Sequence, residues 1–128
     1  MGSHHFLGTG NLSERFGQEA LRPERLLDEI ERLVVDAGLG VMSKQAVPFA
    51  GGGLTLVWVL AESHLVIHHW PEEGYVTIDL HVCDYKSSNA LKARRLVEKL
   101  EELCFSPGSA RWQELQLDPP AAPARMAR

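Results

Sequence analysis

Tyr75-Val76-Thr77-Ile78-Asp79-Leu80-His81-Val82-Cys83 alternates without a break. Val76, Ile78, Leu80 and Val82 point one way, and Tyr75, Thr77, Asp79, His81 and Cys83 the other. Successive side chains of a strand face opposite sides of its sheet, so this segment reads as a strand with one face on a core. Its polar face is rich in titratable groups, which suggests a site more than plain solvent exposure.

Just upstream lies Ala61-Glu62-Ser63-His64-Leu65-Val66-Ile67-His68-His69-Trp70-Pro71-Glu72. Leu54 to Leu60 before it is a nearly continuous apolar run, as expected of a strand covered on both faces. Leu65 to His69 continues as a short strand, which places Glu62-Ser63-His64 at a tight connection. A serine hydroxyl beside a carbonyl carbon can attack its own peptide bond, and nearby histidines can move the protons.

Further out, the period changes to that of a helix. Leu26, Leu27, Ile30, Leu33, Val34 and Ala37 recur on one face of a helix over Arg22–Ala37, with Pro23 in its first turn and Gly38 and Gly40 at its end. Ala93, Leu96, Val97, Leu100, Leu103 and Cys104 form the stripe of a second helix, which Ser88 and Asn89 can cap and Ser106-Pro107-Gly108 stops. Val41–Val47 reads as a modest strand, Ala50–Gly53 as a flexible loop and Arg111–Leu117 as an edge strand. These elements predict an α+β two-layer sandwich: a mainly antiparallel sheet of four or five strands with two main helices on one face. One domain is expected over residues 1–118, with the Pro/Ala-rich 119–128 as a disordered tail.

The bulk properties narrow the function. The 128 residues suit one domain, and 45% hydrophobic residues suit a buried core. A formal charge of −4 and the lack of any basic run argue against nucleic acid or an anionic membrane as partner. No apolar stretch is long enough for a bilayer span, and no signal peptide is visible. Two cysteines make no disulfide scaffold, so a cytoplasmic location is expected. Met1-Gly2-Ser3-His4-His5 reads as a native start, with His4 and His5 terminal and inert. Cys104 reads as a small buried hydrophobe, and Trp58 and Trp70 as packing residues. His64, His68, His81 and Cys83 could instead bind zinc, although no short ligand spacing supports this and no metal is expected.

The block Glu62-Ser63-His64, Ile67-His68, Trp70-Pro71-Glu72, Gly74-Tyr75, Asp79 and Cys83 resembles the self-cleavage region of the prokaryotic S-adenosylmethionine decarboxylase proenzymes. The resemblance covers about Phe49 to Cys83, with looser agreement in the flanking helices. It implies cleavage between Glu62 and Ser63 and a pyruvoyl group made from Ser63. That group would form a Schiff base with a substrate amino group and act as an electron sink. The resemblance further implies His68 as processing acid/base and Cys83 as the proton donor in turnover. It implies Phe49 as a stacking surface for adenine, with His68 on the ring's other side, Thr55 as an assisting hydroxyl and Glu72 as the ribose-binding carboxylate. The expected function is decarboxylation of S-adenosylmethionine for polyamine synthesis, by a homodimer with its sites near the interface.

The departures bear on substrate. His69 stands where threonine is usual, Leu56 where glycine is common, Gly51 for proline, Val47 for histidine and Asp84 for glycine. Asp84 could pair with a basic side chain, which keeps pyruvoyl-dependent decarboxylation of arginine or ornithine as an alternative. A non-catalytic homologue that binds a nucleoside or regulates a partner is the other.

Overall fold

In the computed structural model, residues 1–121 are described. The elements are β1 (Ser3–Asn11), α1 (Glu14–Glu19), α2 (Pro23–Asp36), β2 (Val41–Pro48), β3 (Leu54–Leu60), β4 (Ser63–Trp70), β5 (Tyr75–Cys83), α3 (Ala90–Cys104) and β6 (Arg111–Leu117). The strands form one sheet in the order β2-β3-β4-β5-β1-β6, antiparallel at every pairing. The α+β sandwich is as expected. The strand count is not, since β1 sits inside the sheet between β5 and β6. The tail expected at 119–128 lies mostly outside the described residues.

β1 escapes a reading by hydrophobic alternation because its core-facing positions are His4, Phe6, Gly8 and Gly10, all buried. The glycines make room for aromatic rings. A Cβ on Gly8 would stand 2.6 Å from the Trp112 ring, and one on Gly10 2.7 Å from Phe105. Two residues that normally weaken a strand are therefore what lets β6 and the end of α3 close on it.

Leu26, Leu27, Ile30 and Val34 of α2 and Leu96, Leu100 and Leu103 of α3 bury against the inward residues of the strands, Trp58, Leu65, Ile67 and Leu80 among them. Each such side chain contributes about 1.5–3 kcal/mol by leaving water. Trp58 keeps its indole N–H satisfied by donating to the Leu27 carbonyl at 3.2 Å. The short α1 closes one corner: Ser13 Oγ accepts from the Phe16 amide at 3.0 Å and donates to the Leu103 carbonyl at 2.6 Å, and Phe16 is fully buried.

The start of α3 corrects an expectation. The Asn89 side chain caps nothing; its Nδ2 donates to the Cys83 carbonyl at 2.7 Å. The Asn89 amide is satisfied by Asp84 Oδ1 at 3.0 Å, and Ser88 Oγ accepts from Ala90 at 3.3 Å. The same Asp84 carboxylate meets His4 Nε2 at 2.9 and 3.1 Å. His4, expected to be terminal and inert, is thus a buried tie between β1 and the β5–α3 connection.

Candidate active site

All three helices lie on one side of the sheet. The other side carries the outward residues of β1, β3, β4, β5 and β6, and Ser63 joins them by an irregularity. In register, Ser63 stands opposite Leu60 and Val82, both of which face the core. Regular alternation would bury it with them. Its φ of +147° breaks the alternation. Such a conformation costs a non-glycine residue about 1–3 kcal/mol and persists only where the surroundings enforce it. The hydroxyl swings to the open side, where Oγ lies 2.9 Å from His81 Nδ1 and 3.4 Å from His64 Nδ1.

The peptide bond before Ser63 is polarised. The Glu62 carbonyl accepts the backbone N–H of Cys83 at 2.7 Å, while the Glu62 carboxylate accepts from the Gly40 amide at 3.1 Å and so cannot drift. His81 links the two ends of this cluster, with Nε2 at 3.9 Å from Cys83 Sγ. The His5 ring stacks on it at 3.8 Å, and His64 meets it edge-on at 5.2 Å. Burial first, then the charges of His5 and His64, lower the proton affinity of His81, against a smaller pull from Asp79. His64 Nε2 lies 3.8 Å from Asp79 Oδ1.

A second cluster lies at the far end of β3 and β4. Phe49, Gly53, Thr55, His68, Trp70 and Glu72 are among the residues around a cavity of about 210 Å³. Thr55 Oγ1 and His68 Nδ1 are 3.0 Å apart across the two strands. Phe49 is more than half exposed at the rim. Gly51, with φ +94°, lets the loop approach Glu72 closely: a Cβ there would lie 3.1 Å from Glu72 Oε1.

The structure therefore groups the expected residues in two sets. Glu62, Ser63 and Cys83 come together around His81; Phe49, Thr55, His68 and Glu72 come together around the cavity. His68 lies five residue steps along the strand from Ser63, roughly 16 Å at 3.3 Å per residue, so within one copy His68 does not reach Ser63. Asp84 belongs to neither set, because its carboxylate is taken up by His4 and the start of α3. The zinc alternative loses its geometry for the same reason that His68 is remote. Among the described residues no group of three or more His, Cys, Asp or Glu side chains is placed to hold a metal ion.

Reading the sequence alone placed His81 on the polar face of its strand without a part in self-cleavage, left His5 as inert, and missed the Cys83 amide. A usable signal was present. The short Pro71–Gly74 turn between β4 and β5 sets Trp70 opposite Tyr75, and that register carries His64 opposite His81 and Ser63 opposite Val82, the residue before Cys83. The role of His5 needed β1 to be recognised first.

Fold and site together define a two-layer α+β domain that holds a strained serine against its own polarised peptide bond. A family model described as S-adenosylmethionine decarboxylase matches residues 14–112. An S-adenosylmethionine decarboxylase proenzyme of Persephonella marina is 35% identical over 108 residues, covering 75% of this chain and 81% of its own. One from Symbiobacterium thermophilum is 41% identical over 68 residues, 52% of each chain. A crystal structure of the adenosylmethionine decarboxylase from Aquifex aeolicus superposes with a TM-score of 0.70 and 27% identity, covering 90% of this chain and 88% of that one. The chain belongs to the S-adenosylmethionine decarboxylase family.

Proposed function

We propose that the chain is a proenzyme that cleaves itself between Glu62 and Ser63 and then decarboxylates S-adenosylmethionine with a pyruvoyl group derived from Ser63. The observation that carries this reading is the 2.7 Å hydrogen bond from the Cys83 amide to the Glu62 carbonyl, beside a serine held at positive φ. A backbone donor already aimed at the carbonyl oxygen stabilises the charge that develops there when Ser63 Oγ attacks. Collapse breaks the C–N bond and leaves an ester. Loss of the Ser63 α-proton expels the Glu62 carboxylate, and hydrolysis of the dehydroalanine releases ammonia and a pyruvoyl end.

The pyruvoyl carbonyl supplies the electron sink for the departing carboxylate. This chain's residues do the rest. Cys83, on the same open face and adjoining Ser63 through His81, holds the proton that replaces the carboxylate. Phe49 offers an aromatic face for a nucleobase, His68 lines the same cavity, and Glu72 offers a carboxylate for vicinal hydroxyls. Thr55 fixes the His68 ring. Asp84, the residue that would favour arginine or ornithine, is committed to His4 and Asn89, which supports the nucleoside substrate.

A homodimer fits this reading. The cavity is smaller than the roughly 300–1,000 Å³ usual for ligand sites. Leu7, Val59, Leu115 and Leu117 stand exposed on the uncovered sheet face. For His68 to act in processing, a second copy must lie across this face about a two-fold axis with its cavity over Ser63 of the first. Among the described residues no helix is long and apolar enough to cross a membrane. Cys83 and Cys104 are free thiols, in keeping with a cytoplasmic enzyme.

The test is direct. Mass analysis of denatured protein is expected to give the 1–62 fragment and a 63–128 fragment with a blocked N-terminus, and Ser63→Ala is expected to stay whole. Cleaved protein is expected to release carbon dioxide from S-adenosylmethionine and not from arginine or ornithine. Cys83→Ala is expected to lose about 10²–10⁴-fold in turnover. A wild-type chain that never cleaves would leave the non-catalytic reading in its place.

A further inference from the structure

We propose that His81 is the base that takes the Ser63 hydroxyl proton at the start of self-cleavage and afterwards the group that returns a proton to Cys83. The proposal rests on the self-cleavage reading and assigns to it a residue on β5 that nothing in the self-cleavage motif itself singles out.

Three histidines could serve Ser63. Within one copy His68 is at the other end of β4, and the His68 of a second copy is left for the later removal of the Ser63 α-proton. His64 Nδ1 lies at 3.4 Å, beyond the ordinary range of such hydrogen bonds, and its other nitrogen leans toward Asp79. His81 Nδ1, at 2.9 Å, is at normal hydrogen-bond distance. Its Nε2 faces Cys83 Sγ at 3.9 Å, so the tautomer with the proton on Nε2 leaves Nδ1 free to accept. The stacked His5 ring holds the imidazole in this orientation.

The step balances without a co-reactant. The Ser63 O–H bond breaks and its proton goes to His81 Nδ1. The oxygen lone pair forms the bond to the Glu62 carbonyl carbon, and the carbonyl π pair moves onto the oxygen that the Cys83 amide holds. When the C–N bond breaks, the Ser63 nitrogen takes the proton from His81 Nδ1. An ester, a free amine and a neutral imidazole remain. In turnover, Cys83 gives its proton to the substrate carbon that loses the carboxylate and takes one from His81 Nε2 as His81 Nδ1 takes one from water; the hydroxide combines with the released carbon dioxide as bicarbonate, and exchange with solvent returns the imidazole to its Nε2–H tautomer.

The groups facing His81 are His5 on β1, His64 on β4, and Asp79 and Cys83 on β5. Burial and the two neighbouring imidazoles keep His81 unprotonated to a more acidic pH than an ordinary imidazole, against the weaker pull of Asp79. The acid limb of the cleavage rate is therefore set below the ordinary histidine value of 6.5.

The experiment refolds denatured full-length precursor by dilution across a pH series and follows the fragments over time. Wild type is expected to cleave and Ser63→Ala to stay whole. If wild type also stays whole, the self-cleavage reading fails and this proposal falls with it. Where wild type cleaves, His81→Gln is expected to slow cleavage on the order of 10²-fold and to lose the acid limb. His81→Ala is expected to regain cleavage with added imidazole, which Ser63→Ala does not. His5→Phe, which keeps an aromatic ring stacked on His81 and removes the charge, is expected to move the acid limb to higher pH. The proposal is overturned if His81→Gln, folded by circular dichroism, cleaves at the wild-type rate with the wild-type pH profile. It is equally overturned if imidazole leaves His81→Ala unchanged in rate, or if the limb stays put in His5→Phe.

Discussion

His69 offers a test of the core itself, independent of catalysis. It is 7% exposed, lies on the helix-facing side of β4, and packs edge-on against Phe16 at 5.5 Å. Neither ring nitrogen has a hydrogen-bond partner. A neutral imidazole always carries one N–H, so one donor is buried unpaired, at a cost of about 1–3 kcal/mol. Burial also lowers its proton affinity below the unfolded value of 6.5. The sign follows. As pH falls below 6.5 the unfolded chain binds a proton that the folded chain refuses, so stability is complete above that value and declines beneath it. The full slope for one such group is about 1.4 kcal/mol per pH unit. His69 sits at the edge of the core under the six-residue α1, and the slope ends at the pH where the folded chain also takes up the proton. His69→Leu in a Ser63→Ala chain, which keeps the polypeptide in one piece, removes that contribution. Urea unfolding at fixed protein concentration is expected to show the variant gaining on its parent as pH falls below 6.5, by no more than about 2 kcal/mol at about pH 5. His81 has the same sign and cancels in the difference. Parallel stability curves for the two chains would refute the placement of an uncharged, unpaired imidazole at position 69.

Two further outcomes follow from the packing and from the division of the site. Gly8→Ala is expected to cost about 1–3 kcal/mol, because its Cβ would stand 2.6 Å from the Trp112 ring; a double-mutant cycle with Trp112→Leu is expected to return much of the loss, and strict additivity would show that the two do not meet. Phe49→Ala and Glu72→Gln are expected to raise KM for S-adenosylmethionine with little change in melting temperature, whereas Asp84→Gly is expected to lower the melting temperature and leave KM of the folded fraction unchanged; a KM effect confined to Asp84→Gly would reverse the substrate assignment.

Alternation and helical period were enough to place β3, β4, β5, α2 and α3, because each buries a regular apolar stripe that local sequence must encode. The serine, the peptide bond before it and the cavity residues were legible as a motif, since their spacing lies within one hairpin and its flanks. β1 was not, because its inward positions hold histidine and glycine whose fitness depends on Trp112 and Phe105, a hundred residues away in the chain. The same dependence hid His4, His5 and Asp84: a polar residue's role is set by what faces it across the sheet, and no local pattern records that. Tertiary structure alone turned Ser63 toward His81, aimed the Cys83 amide at the Glu62 carbonyl, and separated the cavity from the serine by the length of a strand. Those are distances between elements, and they exist only once the antiparallel register brings the strands side by side.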